Sequence, residues 1–197
     1  MRQLREVKIS PKHMILRNRR NGFEREFILR PYRRGDEEGM MSCVREEYGE
    51  SYFKKFFYDR NLLLEKADGN SFDFFVAETD GRIAGIEIFS YFLPEETYIE
   101  PASQILGREF RGYGLSKALV EYTFSILEGL MPSAIFVHAV TFHALTQKTC
   151  ERQGMVPTGF RLGSFLTERM SNSYPKGRCE KYSEGIMIKP VAKKDAG

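Results

Sequence analysis

The residues best able to do chemistry lie between positions 100 and 154. Arg111-Gly112-Tyr113-Gly114-Leu115-Ser116 sets two glycines one residue apart, directly before an amphipathic stretch. Glycine lets a backbone turn tightly and approach a ligand closely. A helix that starts at such a turn aims free N–H groups and its positive dipole end there, which suits phosphate or pyrophosphate. The motif lacks the Gly-Lys-Ser/Thr ending of an NTPase loop and the third glycine of a dinucleotide fingerprint. By itself it also fits a plain tight turn before a surface helix.

Further candidates follow in both directions. His138 is the one polar residue in the apolar run Ala134 to Val140. It is either a base or a satisfied core histidine. His143 and Gln147 stand one helical turn apart and would reach a cofactor or substrate, unless they are helix-surface polarity. Cys150 is a thiol in the same stretch, or a small buried hydrophobe. Upstream, Tyr52, Phe53, Phe56 and Phe57 form an aromatic segment that serves either a pocket or a core.

These residues need elements to hold them. Phe27 to Pro31 reads as a strand stopped by its proline. Asp36 can cap a helix carrying Met40, Met41, Val44 and Tyr48 at helical spacing. A second helix is expected from Ser51 to Leu64. Phe72 to Thr79, Asp80-Gly81 and Arg82 to Tyr91 read as a hairpin with a type I′ turn. Leu93 to Glu96 reads as a loop, and Tyr98 to Leu106 as a strand interrupted at Pro101. The glycine turn then opens a helix with Leu115, Ala118, Leu119, Tyr122, Ile126 and Leu127 on one face, ended by Met131-Pro132. Ala134 to Val140 reads as a central strand. Phe142 to Gln153 is expected to be helical, with Gly154 as its C-cap. Val156 to Phe165 and Tyr182 to Lys189 are the last strands, with a polar loop between. The order is β-α-α-β-β-β-α-β-α-β-β, and its β-α-β unit implies a parallel pair in a mostly antiparallel sheet.

Composition sets the outer bounds. The chain has 197 residues, 42% hydrophobic, 29% charged and 13% aromatic, which is ordinary for one globular domain. Apolar runs are far shorter than the ~20 residues of a membrane span, so no membrane role is expected. Cys43, Cys150 and Cys179 are widely spaced, and His13, His138 and His143 show no zinc-ligand pattern; no metal is expected. The start of the chain lacks an apolar signal core. A reducing, cytoplasmic setting is the expectation. Charge is uneven: residues 1–35 hold eleven Lys and Arg against three Glu, a surplus of eight, while the whole chain carries +3. Residues 1–22 therefore read as a basic N-terminal extension and 23–197 as a single domain. Such an arm can meet nucleic acid or another polyanion, or be a solvated leader; no aromatic is interleaved with its basic residues before Phe23.

With its turn, its order of elements and the Gly154-Met155 ending of the last helix, the chain resembles the GCN5-related N-acetyltransferase (GNAT) superfamily over about residues 25–165. The family motif Arg/Gln-x-x-Gly-x-Gly/Ala reads here as Arg111 to Ser116, with a small serine in the last position. The resemblance implies an α/β (α+β) fold: a mixed, mostly antiparallel central sheet, helices on both faces, and a parallel strand pair that splays apart. It implies acetyl-CoA, or another acyl-CoA, as cosubstrate. Pyrophosphate would lie on the backbone of Gly112, Tyr113, Gly114, Leu115 and Ser116, with Ile105 and Leu106 beside the thioester. It implies a small-molecule or peptide amine as acceptor and a homodimer as an expected assembly. Glu100, eleven residues before Arg111, matches the glutamate that the family's histone acetyltransferases use as base. Tyr52, Phe53 and Phe56 fall where the family builds its acceptor wall. The chain departs from the family at Cys150, which occupies the position of a tyrosine that in many members protonates the leaving thiolate. Cys150 or water would then give that proton. The departure also keeps open a catalytically inactive CoA-binding sensor or scaffold.

Overall fold

The computed structural model describes residues 8–92, 98–130, 132–169 and 180–191. Strand β1 spans Lys12–Arg17 and β2 spans Glu24–Pro31, followed by α1 (Glu37–Tyr48) and α2 (Arg60–Asp68). Then come β3 (Phe72–Thr79), β4 (Arg82–Phe92), β5 (Tyr98–Leu106), α3 (Leu115–Leu130), β6 (Ala134–Val140), α4 (Leu145–Arg152), β7 (Val156–Leu166) and β8 (Lys181–Pro190). The strands form one mixed sheet in the order β1-β2-β3-β4-β5-β6-β8-β7. Every pairing among the described strands is antiparallel except β5 with β6. No helix among the described residues is long and apolar enough to cross a membrane.

Two cores cover the two faces of the sheet. On one, Met40, Val44, Phe57 and Leu63 from the α1–α2 side pack on Phe74, Val76, Ile86, Ile88 and Ile105. On the other, Leu115, Leu119 and Leu127 of α3 and Cys150 of α4 pack with Phe75, Phe89, Ile99 and Ile135. Alternation along β3 and β4 supplies both faces, because successive side chains of a strand point opposite ways. The β3–β4 hairpin turns at Asp80 (φ 50°) and Gly81 (φ 72°), the positive pair a type I′ turn requires.

Several local expectations change. Residues 12–17, read as part of an extension, form edge strand β1 antiparallel to β2, with Met14 and Leu16 against the α3-side core. Lys12, His13 and Arg17 hide this in the sequence, since charges on an edge strand serve to block further pairing. The helix expected over Ser51 to Leu64 is instead a 3₁₀ turn at Lys55–Tyr58 followed by α2. Asp59 breaks it: its carboxylate accepts from the N–H groups of Asn61 and Leu62 and starts the helix afresh. Helix α4 begins at Leu145 rather than Phe142, and β7 and β8 run slightly longer than expected. The loop at 93–96, the helix end at Met131 and most of the 166–181 loop lie outside the described residues.

Candidate active site

The parallel pair sets the geometry. Among the described residues β5 and β6 register only at Tyr98 with Ala134 and Ile99 with Ile135. Beyond these points β5 stays with β4, while β6 pairs along its length with β8. The sheet divides into two wings, and a cleft of about 720 Å³ opens at the split. Here the facing edges of both wings offer backbone N–H and C=O groups to an extended ligand.

A bulge in β5 shapes the inner wall. Ile86 opposes Ile105 and Ile88 opposes Ala102, so Ser103 and Gln104 together face Glu87. Ser103 takes the left-handed conformation at φ 58°. The extra residue reverses the in-out alternation of the strand. Ile105 consequently packs on the α1–α2 side, and Gln104 turns to the α3 side, where it bonds both Ser116 and Glu87.

The glycine turn closes the α3 end of the cleft. Gly112 and Gly114 have φ 93° and 78°, conformations that L side chains rarely adopt. The first N–H groups of α3 have no partner inside the helix and face the turn, a ready anion site. The β1–β2 hairpin props this turn from outside. Asn18 donates through Nδ2 to the Arg111 carbonyl at 3.3 Å, and the Arg19 N–H donates to the Gly112 carbonyl at 3.0 Å. Thus the described part of the basic stretch ends against the glycine turn.

At the other end, Glu100 and His138 meet, with 2.7 Å between Oε1 and Nδ1. The two were rival bases in the sequence; the split sheet makes them one pair, each side chain largely withdrawn from solvent at 14% and 22% exposure. Phe136 packs edge-on against the imidazole at 5.5 Å. Tyr52, Phe53 and Lys54 face this pair across the cleft. The Tyr52 hydroxyl is buried without a hydrogen-bond partner, with Ser103 near it but outside bonding geometry. An unsatisfied buried hydroxyl costs about 1–3 kcal/mol, which a ligand group can recover.

No protein-family model matches the chain, and no curated protein matches it at significance. Solved structures do. The ribosomal-protein-S18-alanine N-acetyltransferase of Escherichia coli superposes with TM-score 0.65 at 13% identity, over 86% of this chain and 97% of that one. A putative GNAT-family acetyltransferase of Desulfovibrio desulfuricans gives 0.63 at 15%, over 84% and 99%. The dodecameric spermidine N-acetyltransferase of Vibrio cholerae gives 0.66 at 17%, over 84% and 94%. This is the GNAT fold.

Against the GNAT frame the other expected residues divide. Ile105, Leu106, Arg111, Gly112, Gly114, Leu115, Ser116, His143 and Cys150 line the cleft. Arg111 is held there by an ion pair with buried Glu47. The Tyr113 ring packs on Phe27 at 5.4 Å, and its backbone lies in the turn, as the expectation for its N–H requires. Gln147 donates to the Val140 carbonyl at 3.3 Å and ties α4 to β6 rather than lining the cleft. Phe56 belongs to the core, against Phe57, Phe72 and Phe74. His143 accepts from the Leu145 N–H at 3.3 Å at the start of α4, and burial lowers its pKa. Burial pushes the Cys150 thiol up to about 12, so it stays protonated and is a weak acid near neutrality.

Sequence reasoning missed Glu87. It is 3% exposed, within the apolar run of β4, and burial raises its carboxyl to about 7 against the hydrogen bond from Gln104. Thr123 and Cys150 are the other groups that face it. One signal was available: a lone acid in Gly85-Ile86-Glu87-Ile88-Phe89. Folded Glu87 keeps its proton to about pH 7, whereas an unfolded glutamate releases it near its ordinary 4.5. Between these values the folded state binds more protons, so this contribution to stability is full below that window and lost as pH rises through it. Glu87→Gln is expected to flatten the dependence and raise the melting temperature at pH 8 by roughly 4–8 °C, from an effect on the order of 2 kcal/mol. Parallel melting curves at pH 5 and pH 8 check this; an equal change at both would refute it.

Proposed function

We propose that the chain transfers an acetyl or other acyl group from acyl-CoA to a primary amine, with both reactants bound together. The observation that supports this reading is one cleft with an anion-binding turn at one end and a carboxylate–imidazole pair at the other. The residues fit coenzyme A. The N–H groups of Gly112 to Ser116 would hold the pyrophosphate, the parted edges of β5 and β6 would pair with the amide-bearing arm, and the backbone at Ile105–Leu106 would polarise the thioester carbonyl. The amine nitrogen would attack that carbonyl carbon as the C–S bond breaks, and Glu100–His138 would take the amine proton. Positioning supplies much of the acceleration. The leaving thiolate takes its proton from the buffered solvent, in which an ordinary thiol is mostly protonated at neutral pH, because the Cys150 thiol, pushed up to about 12, is a weaker acid than the thiol it would protonate. Cys150→Ala should therefore leave kcat within about threefold; a loss above about tenfold would return the donor role to the thiol.

The deciding experiment pairs melting shifts with an amine screen. Acetyl-CoA and CoA should raise the melting temperature and ATP should not; a ligand at 100 times its Kd adds roughly 2.7 kcal/mol. Thiol release with an amine panel then reads turnover. Stabilisation without turnover would favour the second reading, a CoA-binding sensor or scaffold, which the missing α4 tyrosine motivates. The basic stretch has a place in the same scheme. Arg19 and Arg20 are exposed beside the phosphate turn. Their joint change to Ala should raise the KM for acetyl-CoA roughly 3- to 10-fold at low salt and less at high salt, since exposed charges are screened. An effect equal at both salt levels would refute an electrostatic role.

A further inference from the structure

The acceptor end of the cleft holds two opposite charges that do not meet. Among the described residues, three lysine and arginine side chains line the cleft: Lys54, Arg111 and Arg161. Arg111 is bound to Glu47, and Arg161 lies 3.6 Å from Glu184. Among the described residues the Lys54 ammonium has rings for close company, 5.2 Å from the centroids of Phe53 and Phe72. It senses Glu100 across the cleft, yet no described carboxylate comes within ion-pair distance of it. Burial lowers its pKa, as taking a cation partly out of water does, and Glu100 opposes that shift. On the other side, one oxygen of Glu100 meets His138, and no described residue donates to the second.

Separated charges of opposite sign across a cavity complement a molecule with the reverse arrangement. We propose that the acceptor is an amine that also carries a carboxylate, an amino acid, with its ammonium group at Glu100 and its carboxylate at Lys54. This rests on the acyl-transfer reading above. Charge-assisted hydrogen bonds at both ends fix the orientation and set the amine beside the Glu100–His138 pair. Tyr48, Tyr52 and Phe53 give the wall between them an apolar surface suited to an apolar or aromatic side chain. A polyamine offers Lys54 only like charge, and a simple alkylamine leaves it unpaired.

The test compares matched acceptors with acetyl-CoA: phenylalanine and leucine, their amides, and the corresponding decarboxylated amines. The amides are the least basic of the three and separate charge recognition from amine reactivity. Wild type should favour the amino acids by roughly tenfold or more in kcat/KM. Lys54→Met should bring that preference within about threefold, and Lys54→Arg should retain it. Melting temperature and CoA affinity of both variants serve as the check on folding. A preference for the decarboxylated amines, or one that Lys54→Met leaves intact, overturns the proposal. If nothing is acetylated, calorimetric titration of phenylalanine and leucine into the CoA-loaded protein decides it. Binding lost in Lys54→Met upholds the carboxylate site while the transfer reading falls; binding absent or indifferent to Lys54 overturns the site.

Discussion

Glu100→Gln and His138→Ala should each lower kcat by about 10²- to 10⁴-fold, the usual range for a positioned acid–base group. The double variant should lose no more than the worse single one, because groups that act as a unit are not additive. The 2.7 Å contact joins β5 and β6 just past the last registered pair of the two strands. A proton arriving on either group is shared with the other, so removal of one disables both. Glu100→Gln keeps the shape and can still bond the imidazole, so CoA-induced stabilisation should be unchanged. Pre-steady-state measurement of acyl transfer at saturating amine reads the chemical step itself. Multiplying losses in the double variant would show two independent roles, and a loss below about tenfold in both singles would remove the pair from the chemistry.

The second large effect belongs to Gly114. Gly114 and Gly81 have almost the same backbone, φ 78° and 72°, and a Cβ on either would meet nothing within 4 Å. An alanine at each thus carries a similar strain, about 1–2 kcal/mol. Only Gly114 borders the N–H groups at the head of α3. Gly114→Ala should raise the Kd for CoA by roughly 10- to 100-fold, about 1.4–2.8 kcal/mol, while Gly81→Ala shows the same loss of stability and normal affinity. Calorimetry on the two variants side by side separates strain from binding. Equal CoA affinities would mean that the turn is architecture and not a phosphate site. Gly112 is a less clean probe, because a Cβ there would come within 3.0 Å of Asn18 Oδ1 and disturb the hairpin as well.

What could be read from the chain alone was what local pattern determines. Asp80-Gly81 specified its own turn, the apolar stripe from Leu115 specified α3, and the run from Ala134 to Val140 specified a buried strand. The parallel pair followed from the connection between them. What escaped depends on register and on contacts far apart in sequence. Glu100 and His138 are 38 positions apart, and nothing in either neighbourhood says that they touch. Glu87 and Gln104 face each other only because the bulge at Ser103 reverses alternation. Lys54 sits in a segment read as helix, and its charge acquired meaning only when the turn before α2 brought it over the cleft. Strand β1 was masked by its own edge charges. Phe56 shows the converse error: residue type suggested a binding wall, and packing sent its ring into the core.

The brace between Asn18 and the turn links residues 93 positions apart, so under the proposed acyl-CoA reading cosubstrate affinity would depend on the integrity of an edge. Outer strands open more readily than central ones, since they are paired on one side only. Each opening of β1 would release the outer support of the Gly112 carbonyl and let the glycine turn relax. Reciprocity then runs the other way: a ligand that binds at the turn must steady the hairpin. Amide hydrogens of β1, more than 90 residues upstream of the turn in sequence, are thus natural reporters of whether the cleft is filled.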